Sequence, residues 1–460
     1  MENNLPQLEA VEPSTGRVLR RLPVLAPAEI ERRLRAAAQA FEAWRRTSPA
    51  ERSAALRSLA GRLRARKDEL ARLMAGEMGK PVVQGRAEVE KCAWVCEYYA
   101  EHGADFLQAE SVTTDWPRSY VAFVPLGPVL GVMPWNFPFW QVFRAAAPAL
   151  AAGNVFLLKH ASNVPGCAEA VADLVRQAHL PEGVFQVLPI RSDQVGQVIE
   201  HPAVRGVTVT GSTAAGRAVA ARAGAALKKT VLELGGSDPY VILEDADLDR
   251  AAETCALARL INTGQSCIAA KRFIVVEGVR ARFEARLTEY MRARSPGDPM
   301  DEQTTVGPLA RRDLRDQLHA QVEASLRLGA RCLCGGRVPD GPGAFYPPTV
   351  LTDVRPGMPV FDEETFGPVA AVVPARDEND AIRLANLSPY GLGAAVFTRD
   401  VARGERMARE HLEAGVCVVN DYVRSDPRLP FGGIKDSGYG RELGIFGLRE
   451  FVNIKSVCIR

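Results

Sequence analysis

The chain lacks an excess of either charge. Fifty-seven Lys and Arg stand against 55 Asp and Glu, and the cationic side chains, mostly Arg, are spread along the sequence rather than blocked. That excludes an electrostatic stripe for nucleic acid. No apolar run approaches the ~18 residues a membrane span requires. The opening MENNLPQLEAVEPSTG has neither the basic nor the apolar region of a secretory signal, so a cytoplasmic protein is expected. The nine cysteines contain no CxxC, and their odd number and scattered positions point to free thiols in a reducing compartment. The six histidines include no HExxH and no pair spaced for one helix face, so no metal site is expected. There is no GxSxG elbow either, which argues against a serine hydrolase of that type.

What is present is an ordinary globular composition, 47% hydrophobic and 24% charged over 460 residues, enough for two or more cored domains. From Pro27 to Leu73 the spacing of Ile30, Leu34, Phe41 and Trp44, then of Leu56, Leu59, Leu63 and Leu70, predicts two amphipathic helices. A third is predicted over about 82–106. After Ser111 the period shortens. A hairpin fits Trp116 to Val124 and a buried strand Val129 to Met133. Strands VFLLKHA, FQVLPI and VRGVTVT then alternate with helices, the pattern of βαβ units on a parallel sheet. A second α/β series follows from YVILEDA through RFIVVEG to VCVVND. Two such units in series place a site in the cleft between them. The terminal FVNIKSVCIR alternates and must pair with some strand edge.

Four segments carry residues capable of chemistry. Cys267, in NTGQSCIAAKRFIVV, follows a Gly turn and precedes an apolar strand; it is either a thiolate nucleophile or a small buried hydrophobe. Glu233 ends an apolar run before Leu-Gly-Gly and reads as a general base with a raised pKa or as a solvated loop carboxylate. TVTGSTAAG (208–216) is a strand, a turn and a helix start whose free N–H groups and Ser212 hydroxyl suit a phosphate, although it is neither GxGxxG nor a P-loop. In PWNFPFW (134–140), Asn136 would either aim its amide at an oxyanion or cap the next helix.

Together these segments resemble the aldehyde dehydrogenase superfamily. PWNFPFW (134–140), VTGST (209–213), LELGG (232–236), NTGQSC (262–267), EETFGPV (363–369) and PFGGIKDSGYGRE (430–442) occur in the family's order, with 34 residues from Glu233 to Cys267 and 97 from Cys267 to Glu364. The resemblance spans essentially the whole chain. It implies an α/β fold with a Rossmann-type cofactor domain (1–115 and 131–232) and a second α/β catalytic domain (233–430). It also implies a small β oligomerisation element (116–130 and 446–460), with 431–445 returning toward the cofactor domain and the cleft. Dimers or dimers of dimers follow, with no nucleic-acid or membrane partner.

The resemblance also implies roles. Cys267 attacks the aldehyde, the Asn136 amide and the Cys267 N–H hold the oxyanion, and Glu233 activates the water that hydrolyses the thioester. Glu442 matches a proton-relaying carboxylate. Lys159 and Glu364 would bind the ribose rings of NAD or NADP, Ser212 the pyrophosphate, and Trp135, Gly211 and Phe366 further parts of the cofactor. Where many NAD-preferring members have Glu, this chain has Ser162, which removes a repulsion toward a 2′-phosphate; NADP, or both cofactors, is expected. KHASN and SDPRLPFGG resemble the bacterial succinate-semialdehyde dehydrogenases. Arg144 matches their carboxylate-binding arginine, with Phe137 and Trp140 beside it. The second arginine of that clamp is replaced by Ile261, for which Ser425 and Arg428 would compensate. The alternatives are a general or other short-chain aldehyde dehydrogenase, or a CoA-acylating one, although Glu233 favours water over CoA as the acceptor.

Overall fold

The computed structural model describes residues 6–460; the first five residues of the expected cofactor-domain segment lie outside it. The N-terminal region is helical for local reasons. Pro27 sits in the first turn of helix Pro27–Trp44, which buries Ile30, Leu34, Ala37, Phe41 and Trp44 along one stripe. Helix Pro49–Ala65 starts with a reciprocal cap in which Ser48 Oγ accepts from the Glu51 N–H at 3.2 Å and Glu51 Oε2 accepts from the Ser48 N–H at 2.7 Å. The second predicted helix does not continue to Leu70: Arg66 leaves helical geometry at φ −109°, and a separate helix runs Lys67–Met78. A hairpin of Gln7–Val11 and Val18–Pro23 gave no periodic signal above the noise of five-residue runs.

A six-stranded sheet forms the first α/β unit. Its order is Gly438–Tyr439, Lys229–Glu233, Gly206–Thr210, Pro128–Val132, Val155–Lys159, Phe185–Val187, parallel except for the first. The chain order reverses between Pro128–Val132 and Gly206–Thr210. Such a switch point opens a crevice beyond the carboxyl ends of the strands. The segments 133–136 and 211–213 emerge there, and Glu233 ends the neighbouring strand.

The second unit is a seven-stranded sheet ordered Arg331–Cys334, Thr349–Thr352, Val369–Ala375, Arg272–Val276, Pro239–Ile242, Gly393–Phe397, Val416–Val419. Only Arg331–Cys334 runs antiparallel. Cys267 lies on the approach to Arg272–Val276, and Glu364 on the approach to Val369–Ala375. Both therefore reach the interface with the first sheet.

A third, three-stranded sheet pairs Arg118–Pro125 antiparallel with Val452–Ile459 and, briefly, with Glu110–Ser111. Two expected boundaries are corrected here. The segment 116–130 stops contributing at Pro125, because Pro128–Val132 is a central strand of the cofactor-type sheet; Pro125-Leu-Gly-Pro is the break between them. The segment 446–460 contributes only from Val452, because Gly444–Arg449 is a short helix packed against helices Val82–Phe106 and Trp140–Ala151. Nor does Trp116–Val124 close on itself: Arg118–Pro125 pairs along its length with the chain's far end and, at Tyr120 and Val121, with Glu110–Ser111.

Candidate active site

Helix Leu248–Leu260 ends in a turn that few sequences tolerate. Asn262, Thr263 and Gly264 all have left-handed φ (52°, 56° and 76°), which is costly for a β-branched residue. Side chains hold the turn in place. Asn262 Nδ2 donates to Asn136 O (2.7 Å) and to Gln265 O (3.1 Å). Thr263 Oγ1 accepts from the Gly307 N–H at 2.9 Å, and Arg259 Nη2 donates to Gly264 O at 2.6 Å. A Cβ at Gly264 would stand 2.3 Å from Gly367 O, and one at Gly236 would stand 2.6 Å from Cys267 O. The glycines of NTGQSC and LELGG are therefore the price of bringing three backbones together around one thiol.

Cys267 leaves this turn half-buried. Burial pushes its thiol up to about 12, while Arg144 and Lys271 pull it back. Lys271 went unnoticed in the sequence. Its buried ammonium donates to the carbonyls of Ser266 (3.1 Å), Cys267 (2.7 Å) and Ala269 (3.2 Å) and lies 3.6 Å from Glu364 Oε1. It ties the Cys267 backbone to the wall of the neighbouring cleft. A lysine four residues after the cysteine, at the mouth of an apolar strand, was the available signal.

Asn136 faces the same turn. Its Nδ2 donates one hydrogen to Gln265 O at 3.1 Å, which leaves the second for another acceptor. Among the described residues the Cys267 N–H has no acceptor, so two donors remain uncommitted beside the sulfur. The PWNFPFW segment is fixed from behind by a second feature that sequence reading missed. Glu88 Oε1 accepts from the Phe139 and Trp140 N–H groups, both at 2.9 Å, and its other oxygen pairs with buried Lys80. The Lys80 ammonium in turn sits 3.8 Å from the Phe137 ring centroid.

Behind Cys267 lies a buried charge cluster. All 12 residues of helix Trp140–Ala151 are buried, so Arg144 must find partners inside the protein. Its Nε pairs with Glu442, its Nη2 donates to Thr210 Oγ1 at 3.2 Å, and Nη2 lies 4.0 Å from Glu233 Oε2. Thr208 Oγ1 donates to the other Glu442 oxygen at 3.1 Å. The period-two alternation of strand Gly206–Thr210 puts both threonines on this face. Both Glu233 oxygens are buried without a hydrogen-bond donor. Burial holds the Glu233 carboxyl well above the usual carboxylate range, with Arg144 opposing. A carboxylate kept proton-hungry in this way suits general-base work.

Two cavities meet at Cys267. One, of about 380 Å³, lies at the switch point, and its wall includes Trp135, Asn136, Gly211, Ser212, Glu364 and Phe366. Trp135 and Phe366 pack edge to face at 5.7 Å. Glu364 accepts from the Gly236 N–H at 3.0 Å; a Cβ at Gly235 would meet it at 2.7 Å. The other, of about 600 Å³, is lined by Phe137, Trp140, Arg144 and Ser425 together with Lys91, Arg294 and Arg424. Lys159 and Ser162 lie outside both walls, Lys159 buried and Ser162 half-buried just after strand Val155–Lys159.

Ser212 Oγ accepts from the Ala215 N–H at 3.3 Å, which caps helix Thr213–Ala225 and leaves its own O–H free to donate. Two expected contacts, those of Arg428 and Arg144, look different in the structure. Arg428 is on neither wall. Its guanidinium chelates Asp426 (2.7 Å) and lies 5.5 Å over the Trp94 ring, so it does not replace the arginine missing at Ile261. Arg144 does reach the larger cavity, but its Nε and Nη2 are already committed to Glu442 and Thr210.

Comparison with known proteins fits this geometry. The aldehyde dehydrogenase family matches residues 1–457. A succinate semialdehyde dehydrogenase [NAD(P)+] of Escherichia coli (strain K12) is 49% identical over 448 residues, covering 97% of each chain. A succinate-semialdehyde dehydrogenase [NADP(+)] of Deinococcus radiodurans is 45% identical over 447 residues, covering 97% of this chain and 94% of that protein. The crystal structure of a succinic semialdehyde dehydrogenase from Streptococcus pyogenes in complex with NADP+ superposes with a TM-score of 0.96 at 38% identity, covering 98% of this chain and 99% of that one. A nucleophile-bearing turn at the junction of two α/β sheets, matched along nearly the full length, has one reading: the chain belongs to the aldehyde dehydrogenase family and oxidises aldehydes to acids through a cysteine nucleophile.

Proposed function

We propose that the protein oxidises succinate semialdehyde to succinate with NADP+, or with both NADP+ and NAD+. The observation that carries this is the meeting of two cavities at Cys267, one suited to a dinucleotide and one rich in cations. The smaller cavity fits the dinucleotide on its own features. It sits at the switch point, offers the Glu364 carboxylate to ribose hydroxyls, and has an aromatic pair at its rim. Lys159 nearby has no acidic partner among the described residues. The phosphates would meet the N–H groups opening helix Thr213–Ala225 and the Ser212 O–H, which the helix cap leaves unused.

In this reading Cys267 gives its proton to water in the cavities it faces and adds as the thiolate to the aldehyde carbon. The second Asn136 Nδ2 hydrogen and the Cys267 N–H hold the oxygen, which bears the developing charge. When bound, the oxidised dinucleotide supplies the acceptor for the hydride that the adduct releases. Glu233 then takes a proton from the water that attacks the resulting thioester and expels the Cys267 thiolate. Glu442, on the other side of the Arg144 guanidinium, receives that proton by way of water, since the guanidinium cannot give one up. Lys271 and Glu88 keep the two halves of the site in register. The exposed strand Val452–Ile459, with Ile454 62% exposed, supports assembly into a homo-oligomer through that sheet.

Cofactor choice has a direct test. Ser162→Glu places a carboxylate where the adenosine 2′ position is expected, so the ratio of kcat/KM for NADP+ over that for NAD+ should fall about 10- to 100-fold by charge repulsion. An unchanged ratio would remove Ser162 from the cofactor pocket. The substrate is tested by comparing succinate semialdehyde with butanal, with and without CoA. Free acid formed without CoA, and a preference for the charged aldehyde, are expected. Equal handling of the two would leave a general aldehyde dehydrogenase, which the Ile261 substitution favours.

A further inference from the structure

The larger cavity is lined by four cationic side chains, and their partners differ. Arg144 is paired with Glu442. Arg424 is paired with Asp421 at 2.9 Å. Arg294 donates to Tyr290 O at 2.7 Å, at the end of its own helix. Arg294 has no carboxylate within 4.0 Å among the described residues, and neither does Lys91, on helix Val82–Phe106. Its ammonium donates to Ser425 Oγ at 2.8 Å and sits 4.4 Å from the Trp140 ring centroid.

We propose that Lys91, with Ser425 beside it, is the specificity-determining group that pairs with the substrate's distal carboxylate. The proposal rests on the succinate-semialdehyde reading above. An ammonium has three donors, and only one is used by the protein. A cation kept in an aromatic-walled cavity without an anion is poorly solvated, and a bound carboxylate restores its partner. Lys91 thus supplies the second positive arm whose usual position is occupied by Ile261, from a helix about 170 residues earlier in the chain. It also relieves Arg144 of a duty that the ion pair with Glu442 makes costly.

The charge on Lys91 is labile. Burial first, and then Arg144 on the facing helix, lower its pKa to about 8, against Cys92 and Glu88 on its own helix and Asp426 in the facing loop, which act to raise it. Below this value the ammonium is charged; as pH rises through it the charge is lost.

The test uses the full-length enzyme with saturating cofactor, comparing wild type, Lys91→Met and Lys91→Arg on succinate semialdehyde and butanal. Lys91→Met should lower kcat/KM for succinate semialdehyde about 10- to 100-fold, chiefly through KM, and leave butanal within about threefold. Lys91→Arg should keep most of the preference. In wild type, KM for succinate semialdehyde should rise above about pH 8 while KM for butanal does not, and in Lys91→Arg that rise should move to higher pH. If wild type prefers succinate semialdehyde and Lys91→Met keeps the preference, Lys91 is not the anchor and the substrate reading stands. If Lys91→Met slows both aldehydes equally, its role is structural and the proposal is overturned. If wild type shows no preference at all, the substrate reading fails and the proposal falls with it.

Discussion

Cys267→Ala should abolish NAD(P)H formation from any aldehyde, a loss of at least about 10⁴-fold in kcat. No other thiol can take over. Cys92, Cys96, Cys167 and Cys255 are buried, and none of the remaining free cysteines lines either cavity at the site. The substitution removes one sulfur from a position already open to two cavities, so little packing is lost. Thermal stability should change by no more than about 1 kcal/mol, and dinucleotide binding, followed by protein fluorescence, should persist. Steady-state turnover by Cys267→Ala near the wild-type rate would refute the nucleophile assignment. A loss of turnover together with loss of fold would leave Cys267→Ser as the deciding variant, and it is expected to be folded and similarly inactive.

Arg144→Leu should also be severe, and for a reason that differs from substrate recognition. Removing one member of a buried ion pair typically costs about 3–5 kcal/mol, because the charge left behind has no partner. Here two carboxylates are left, Glu442 and Glu233, both buried and both facing the guanidinium. Arg144 opposes the burial that raises Glu233's pKa. Its loss should therefore raise that pKa further and move the alkaline rise of kcat to higher pH, since the base works only when deprotonated. Thiol activation should suffer too, because Arg144 is the largest influence pulling Cys267 down. The expected result is a loss of about 100-fold or more for butanal as well as for succinate semialdehyde, with a lowered Tm. A large loss confined to succinate semialdehyde would instead make Arg144 a dedicated carboxylate anchor, as the sequence resemblance implies. The pH profile of kcat on butanal separates the two.

The elements that position the chemistry are legible as short apolar runs ended by small or polar residues. Strands Pro128–Val132, Gly206–Thr210 and Lys229–Glu233 each stop where a motif begins, and buried parallel strands produce that pattern without long-range information. The family resemblance, carried by motifs in the right order, extends this to the class of reaction. What periodicity cannot convey is which distant side chains share a partner. The carboxylate that occupies Arg144 belongs to Glu442, near the chain's other end. The hydroxyl of Ser425 is reached by Lys91, and the N–H groups behind Asn136 are held by Glu88. Each is a contact between segments far apart in sequence. Arg428 illustrates the converse. Its position beside PFGG made it a candidate, yet Asp426, two residues earlier, claims it at the surface. The two strands on either side of Pro125-Leu-Gly-Pro are separable in the sequence, but which sheet each joins is set by pairing partners far along the chain.

The central claim is that a Cys267 thioester is hydrolysed with Glu233 as the base, and Glu233→Gln tests it most directly. The amide has nearly the shape of the carboxyl but cannot take a proton from water, so the steps before hydrolysis should survive. Rapid mixing of this variant with saturating aldehyde and cofactor should give a burst approaching one NAD(P)H per active site. Steady-state turnover should then be slower than wild type by about 10²- to 10⁴-fold, with one acyl group added to the protein by intact mass and located on the peptide bearing Cys267. Wild-type steady-state turnover in Glu233→Gln, or a full burst with no acyl group on Cys267, would contradict the account.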